Sequence, residues 1–240
     1  MTERDRTLLF DFDGTVSLGT GPVLAYARAA GASLSTAASA AFIDDVLTAL
    51  EAHPSGRVPG SGAIDGYDLV RILSGAHGID PASLSAAYFT SREQLASALA
   101  PVVAPEGLAE FLAGARSTAW LVLATNAPET RIDLALESLG LSGLFDSVYT
   151  SLSKPAGLVK VLDEWMPQGP LLSIGDVWAN DLAPAYARGA LTALIGPDAD
   201  ASDATPTYRA TSLHLLYPVI EDWLRLHRST NATPIERQSK

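Results

Sequence analysis

The chain has 240 residues, 48% of them hydrophobic and 18% charged, enough to bury one core with a smaller satellite. A formal net charge of -11 argues against nucleic acid as a partner, and the absence of cysteine excludes disulfides, a thiolate nucleophile and cysteine-bound zinc. No apolar run reaches the roughly 18 residues of a membrane span, and the N-terminal stretch is too short for a signal sequence, so a cytoplasmic protein without membrane attachment is expected.

In chain order, a short apolar strand over Thr7 to Phe10 stops at Asp11. From about Gly21 to Ala100 the pattern is helical, with apolar residues at helical spacing around Phe42, Val46 and Leu50 and a Gly/Pro-rich loop over His53 to Gly66. Alternation then begins: helix Glu106 to Arg116, strand Trp120 to Ala124, and a helix Glu129 to Leu139 started by Pro128. A weak strand over Ser147 to Thr150 leads to Lys154 and a helix through Trp165. The strand Leu171 to Ile174 leads to Gly175, Asp176 and a helix ending near Gly189. Leu191 to Ile195 is one more strand, Pro197 to Thr207 reads as a loop, and a helix over Leu213 to Arg225 closes the chain, with a frayed tail expected from Ser229.

Apolar strands alternating with helices predict an α/β fold, a parallel sheet covered by helices on both faces. Ligands bind such sheets at the carboxyl ends of the strands, where the strand order reverses. The polar residues Asp11, Asp13, Thr125, Asn126, Lys154 and Asp176 follow strands and are expected to meet in one crevice.

Their chemistry fits phosphoryl transfer, which needs a nucleophile, an acid for the leaving group and charge neutralisation. Asp11 is suited to attack phosphorus, and Asp13 to protonate the departing oxygen and then activate water. Thr125 and Asn126 offer a hydroxyl and an amide to phosphate oxygens, and Lys154 a point positive charge. Oxygen ligands from Asp11, Asp176 and a backbone carbonyl make a hard site suited to magnesium. Asp181, four residues past Val177, is placed either to bind that metal through water or to orient Lys154.

The segments Asp11-Phe12-Asp13-Gly14-Thr15-Val16, Thr125, Lys154 and Gly175-Asp176 through Asn180-Asp181 resemble, in order, the four motifs of the haloacid dehalogenase superfamily. The resemblance implies a Rossmann-like catalytic core over residues 1–18 and 101–228 and a helical cap over 19–100, beyond which the polar stretch 229–240 is the tail expected to be disordered. It implies that Asp11 is nucleophile and metal ligand. Asp13 would be general acid/base and lend its backbone carbonyl to the metal. Thr125 and Lys154 would hold phosphate, and Asp176 with Asp181 would bind Mg2+. The helical block resembles the cap of the phosphoglycolate-phosphatase-like branch.

Members that cleave carbon-halogen bonds lack the second acid, so Asp13 speaks for phosphoryl chemistry. The phosphonate-cleaving branch needs a cap lysine, and no lysine precedes Lys154. The expected activity is magnesium-dependent hydrolysis of a small phosphorylated metabolite by a monomer or homodimer. A phosphomutase and a catalytically silent phosphate-binding module are the alternatives. Thr20, His53, Arg57, Tyr67 and Arg71 are candidates for substrate contacts, while Trp178 is expected to pack against the core.

Overall fold

The strand β1 (Arg6–Phe10) is buried along its whole length and forms the centre of the sheet. The computed structural model describes residues 4–225; the tail expected over 229–240 lies outside the described residues. Among these residues six strands form one parallel sheet, adding β2 (Ala119–Ala124), β3 (Ser147–Tyr149), β4 (Leu171–Gly175), β5 (Leu191–Ile195) and β6 (Tyr208–Ala210) in the order β3-β2-β1-β4-β5-β6. The order runs outward from β1 through β2 and β3, then restarts on the other side of β1 with β4. The reversal therefore falls between β1 and β4, where Thr7 to Phe10 pair with Leu171 to Ile174.

Both faces of the sheet are covered because its residues are apolar on alternate sides. Leu8, Phe10, Leu121, Leu123 and Ile174 pack beneath α5 (Leu108–Ala115), α6 (Ile132–Ser138) and α9 (Tyr217–Arg225). Leu9, Val122, Ala124 and Leu171 pack against α7 (Leu158–Trp165) and α8 (Ala183–Tyr186). Continuous burial on two faces is what a parallel sheet requires.

Between β1 and β2 the chain builds a helical insert, α1 (Gly21–Gly31), α2 (Thr36–Ala52), α3 (Gly66–Ala76) and α4 (Pro81–Arg92). The helices start where the side chains cap them: Ser35 accepts from Ala38 N–H, Asp65 from Asp68 N–H and Asp80 from Ala82 and Ser83 N–H. They enclose their own apolar cluster around Tyr26, Phe42, Val46, Leu69 and Val70. The segments leading in and out pair once, Leu18 and Val103 exchanging backbone hydrogen bonds of 2.7 and 3.2 Å.

Several elements depart from the sequence reading. The helix expected from Glu129 begins at Ile132, because Arg131 adopts a left-handed conformation (φ 58°) while its Nε donates to the Leu95 carbonyl at 2.7 Å. The helix expected from Leu213 opens with a 3-10 turn over Leu213–Leu216. The edge strand β6 was not anticipated, being a three-residue strand with no periodicity to read.

Candidate active site

β1 ends in a loop that points two carboxylates away from the core. Phe12 is fully buried in the cluster beneath α5, so Asp11 and Asp13 on either side of it face a cavity of about 540 Å³ between the sheet and the insert. Phe12 carbonyl accepts from Thr15, Val16 and Ser17 N–H and closes the loop. Gly14 has φ 84°, and a Cβ there would lie 2.8 Å from Asp176 Cγ. Glycine is required both by the left-handed backbone and by this close approach.

β4 brings the facing acid. Asp11 N–H donates to Ile174 carbonyl at 2.9 Å, which fixes the end of β1 against the end of β4 at the reversal of strand order. Asp176 follows directly, and the chain then makes a π-helical turn over Trp178–Leu182, a geometry that often marks functional sites. This turn folds Asp181 back over Gly175, where a Cβ would lie 2.4 Å from Asp181 Cβ. Ser173 Oγ donates to the Asp181 carbonyl at 2.7 Å and holds the turn down.

Lys154 does not follow its strand directly, as the sequence reading had it. β3 ends at Tyr149, and the loop beyond carries Ser151 and Ser153 in left-handed conformations and a cis Lys154–Pro155 peptide. The lysine backbone is held by Asn126, whose Oδ1 accepts from Lys154 N–H at 2.6 Å. Its ammonium, 3% exposed, donates to Asp11 Oδ1 at 2.5 Å and Asp181 Oδ1 at 2.6 Å. Of the two roles open to Asp181, orienting Lys154 is the one its contacts display, since its other oxygen accepts from Val177 N–H at 2.9 Å.

Asn126 thus supports the lysine loop, although it also lines the cavity. Thr125 is buried at the end of β2, lines the cavity, and its Oγ1 accepts from Ala127 N–H at 3.0 Å. Its own hydroxyl proton is available to an oxygen in the cavity.

Charge crowding sets the electrostatics. Burial pushes Asp11 up to about 7, opposed by Lys154 and reinforced by Asp181. Burial, then Asp11 and Asp181, push Asp176 well above the carboxylate range, with Arg57 opposing. Burial works against the Lys154 ammonium, but Asp11 and Asp181 outweigh it and keep it charged.

Single oxygens of Asp11, Asp176 and Asp181 lie within 4.8 Å of one another. The donor set is all oxygen and overloaded with negative charge, so a hard divalent cation such as Mg2+ fits it. The Asp13 carboxylate is outside this group of three, which leaves only its backbone carbonyl for such a role.

The insert supplies groups that no motif indicated. Arg92, at the end of α4 and 1% exposed, places Nη1 3.4 Å from Asp13 Oδ1 and donates to Tyr67 Oη at 2.9 Å. Tyr67 in turn donates to Asp13 Oδ1 at 3.3 Å; burial, then Asp13, raise its pKa and keep the phenol protonated. Arg57 reaches over from the Gly/Pro-rich loop, its Nη2 donating to Asp176 Oδ2 at 2.8 Å and to the Asp176 carbonyl at 2.7 Å. These contacts span 25 to 119 residues and leave no local trace in the sequence.

Of the residues proposed for substrate contact, Thr20 and Tyr67 line the cavity and Arg57 adjoins it on Asp176. Arg71 does not line it: it is exposed and paired with Asp68 at 2.6 Å. His53 does not line it either, since it ends α2 with its N–H on the Ala49 carbonyl. Trp178, partly buried, packs against the cluster of Leu182 and Leu194 and lies 5.5 Å from the Tyr186 ring, in keeping with the expected packing against the core.

No protein-family model and no curated protein matches the chain. Solved structures do match in fold. One is the HAD-hydrolase YfnB from Bacillus subtilis bound to magnesium, 21% identical over 91% of this chain and 99% of that one, with a TM-score of 0.59. A predicted phosphoglycolate phosphatase from Haemophilus somnus 129PT is 18% identical over 92% of this chain and 99% of that one, with a TM-score of 0.60. The L-2-haloacid dehalogenase RSc1362 is 22% identical over 91% of this chain and 99% of that one, with a TM-score of 0.55.

Proposed function

We propose that this chain, which has the fold of the haloacid-dehalogenase-like hydrolases, is a magnesium-dependent phosphatase of that superfamily that cleaves a small phosphomonoester through an aspartyl phosphate on Asp11. Structures of this fold include both phosphatases and dehalogenases, so the reading is carried by side chains. The observation that carries it is the pairing of two acids two residues apart, each held for a different task. Asp11 is gripped by Lys154, while Asp13 faces the same cavity against Tyr67 and Arg92.

In the first step an Asp11 oxygen attacks phosphorus while Asp13 gives its proton to the departing alkoxide, leaving the phosphoryl group on Asp11. Lys154, fixed by Asp11 and Asp181, offsets the charge of the transferring group, and the Thr125 hydroxyl is placed to donate to it. In the second step Asp13, now ionised, takes a proton from water, which attacks phosphorus and releases phosphate and the Asp11 carboxylate. Asp11 and Asp176 would hold Mg2+, with the Asp13 carbonyl as a further ligand and Asp181 adding its charge beside them while it orients Lys154. When bound, the ion adds positive charge at the phosphoryl oxygens.

Within the described residues 4–225, we assign those of 1–18 and 101–228 to a catalytic core and 19–100 to a cap that covers the cavity and excludes water from the aspartyl phosphate until Asp13 is poised. The test is phosphate release from a panel of phosphomonoesters with and without Mg2+, with Asp11→Asn alongside. Release that requires both Mg2+ and Asp11 is expected; equal release by the variant would eliminate Asp11 as nucleophile.

A further inference from the structure

Resting on the phosphatase reading, we infer that the leaving group carries no negative charge: the substrate is the phosphomonoester of an uncharged alcohol with an apolar face, not of a carboxylic acid or a second phosphate.

The charged residues lining the cavity are Asp11, Asp13, Asp65, Asp176 and Asp181 against Lys154 alone. Lys154 lies on the sheet side and is already shared between two carboxylates. A divalent cation and the phosphate it accompanies cancel most of each other's charge, so the excess of acid persists in the bound state. The insert side is where a leaving group would project. Its wall is formed by Pro22, Val23, Leu50, Tyr67 and Tyr88, and its one charged member is Asp65. Asp65 caps α3, accepting from Asp68 N–H at 2.7 Å, and burial raises its pKa.

Two arginines stand near this wall without lining it. Arg92 is 1% exposed behind Tyr67, with Nη1 directed at Tyr67 and Asp13. Arg57 has Nε on the Ile64 carbonyl, Nη2 on Asp176 and Nη1 3.7 Å from Asp198. A carboxylate or phosphate on the leaving group would therefore enter an acidic, low-dielectric cavity whose one lining cation, Lys154, is already shared between two carboxylates. An aromatic or otherwise apolar face would pack against Val23, Leu50 and the two tyrosines.

The measurement is calorimetric binding to the Asp11→Asn chain in magnesium, using two phosphates of equal size that differ by one charge, 4-carbamoylphenyl phosphate and 4-carboxyphenyl phosphate. The carbamoyl ester is expected to bind at least about tenfold more tightly, the scale of one unscreened like-charge contact. Thr20→Arg, at a half-buried position on the insert wall whose side chain caps nothing, is expected to narrow that ratio. Equal or tighter binding of the carboxylate by the Asp11→Asn chain overturns the inference, as does failure of the carbamoyl ester to bind. Selective binding of the carbamoyl ester together with no phosphate release by the unaltered chain would instead refute the phosphatase reading and leave the charge preference standing.

Discussion

Lys154 Nζ lies 2.5 Å from Asp11 Oδ1 and 2.6 Å from Asp181 Oδ1, so one buried ammonium joins the end of β1 to the turn after β4. The central strand pair and the loop after β3 are thereby locked into a single charged cluster.

Replacing that ammonium leaves two carboxylates buried without a cation. Lys154→Met is expected to lower kcat at least about 100-fold, the scale of losing one preorganised donor, and to cost about 3–5 kcal/mol, as breaking a buried ion pair does. Denaturant titrations should give the larger loss at pH 8 and a smaller one at pH 5, where the orphaned Asp11 takes up a proton. A variant as stable as the parent at pH 8 would show that the cluster contributes little.

The raised pKa of Asp11 predicts a pH dependence for the metal-free protein. The folded chain keeps this proton up to about 7, whereas an unfolded aspartate releases it near about 3.9. Between those values the folded state binds more protons than the unfolded one. The contribution is thus fully present below about pH 4 and lost as the pH rises through about 7. A cation needs the ionised carboxylate, so the gain in Tm from Mg2+ should widen from pH 5 to pH 8. A gain constant across that range would remove Asp11 from the ligand set.

Arg57 and a cation compete for one oxygen of Asp176. With the guanidinium on Asp176 Oδ2 at 2.8 Å, Mg2+ must share or displace it. Arg57→Ala is expected to bind Mg2+ about two- to fivefold more tightly by calorimetry, the range of a partly exposed ion pair. Weaker binding would mean that Arg57 helps to build the site.

Tyr67 donates to Asp13 while its ring packs 6.0 Å from Tyr26 and 5.8 Å from Tyr88. Tyr67→Phe keeps the ring and removes the donor. A fall in kcat of about three- to tenfold with KM little changed is expected, together with a stability loss near about 1 kcal/mol, the net value of one hydrogen bond. Steady-state kinetics with unaltered kcat would reduce Tyr67 to packing.

The sequence by itself determined the strand ends and what stands on them. Apolar runs that stop at Asp11, Thr125 and Asp176 imply a parallel sheet, and a parallel sheet gathers its carboxyl ends on one edge. The tertiary structure decided which groups hold which. Asn126 supports the Lys154 backbone, Asp181 holds the ammonium, Arg57 sits on Asp176, and Arg92 with Tyr67 flanks Asp13. Arg71 and His53, equally polar in sequence, turn elsewhere. The physical reason is range: burial and strand ends are written in local periodicity, whereas a hydrogen bond across 79 or 119 residues depends on how the insert packs over the sheet.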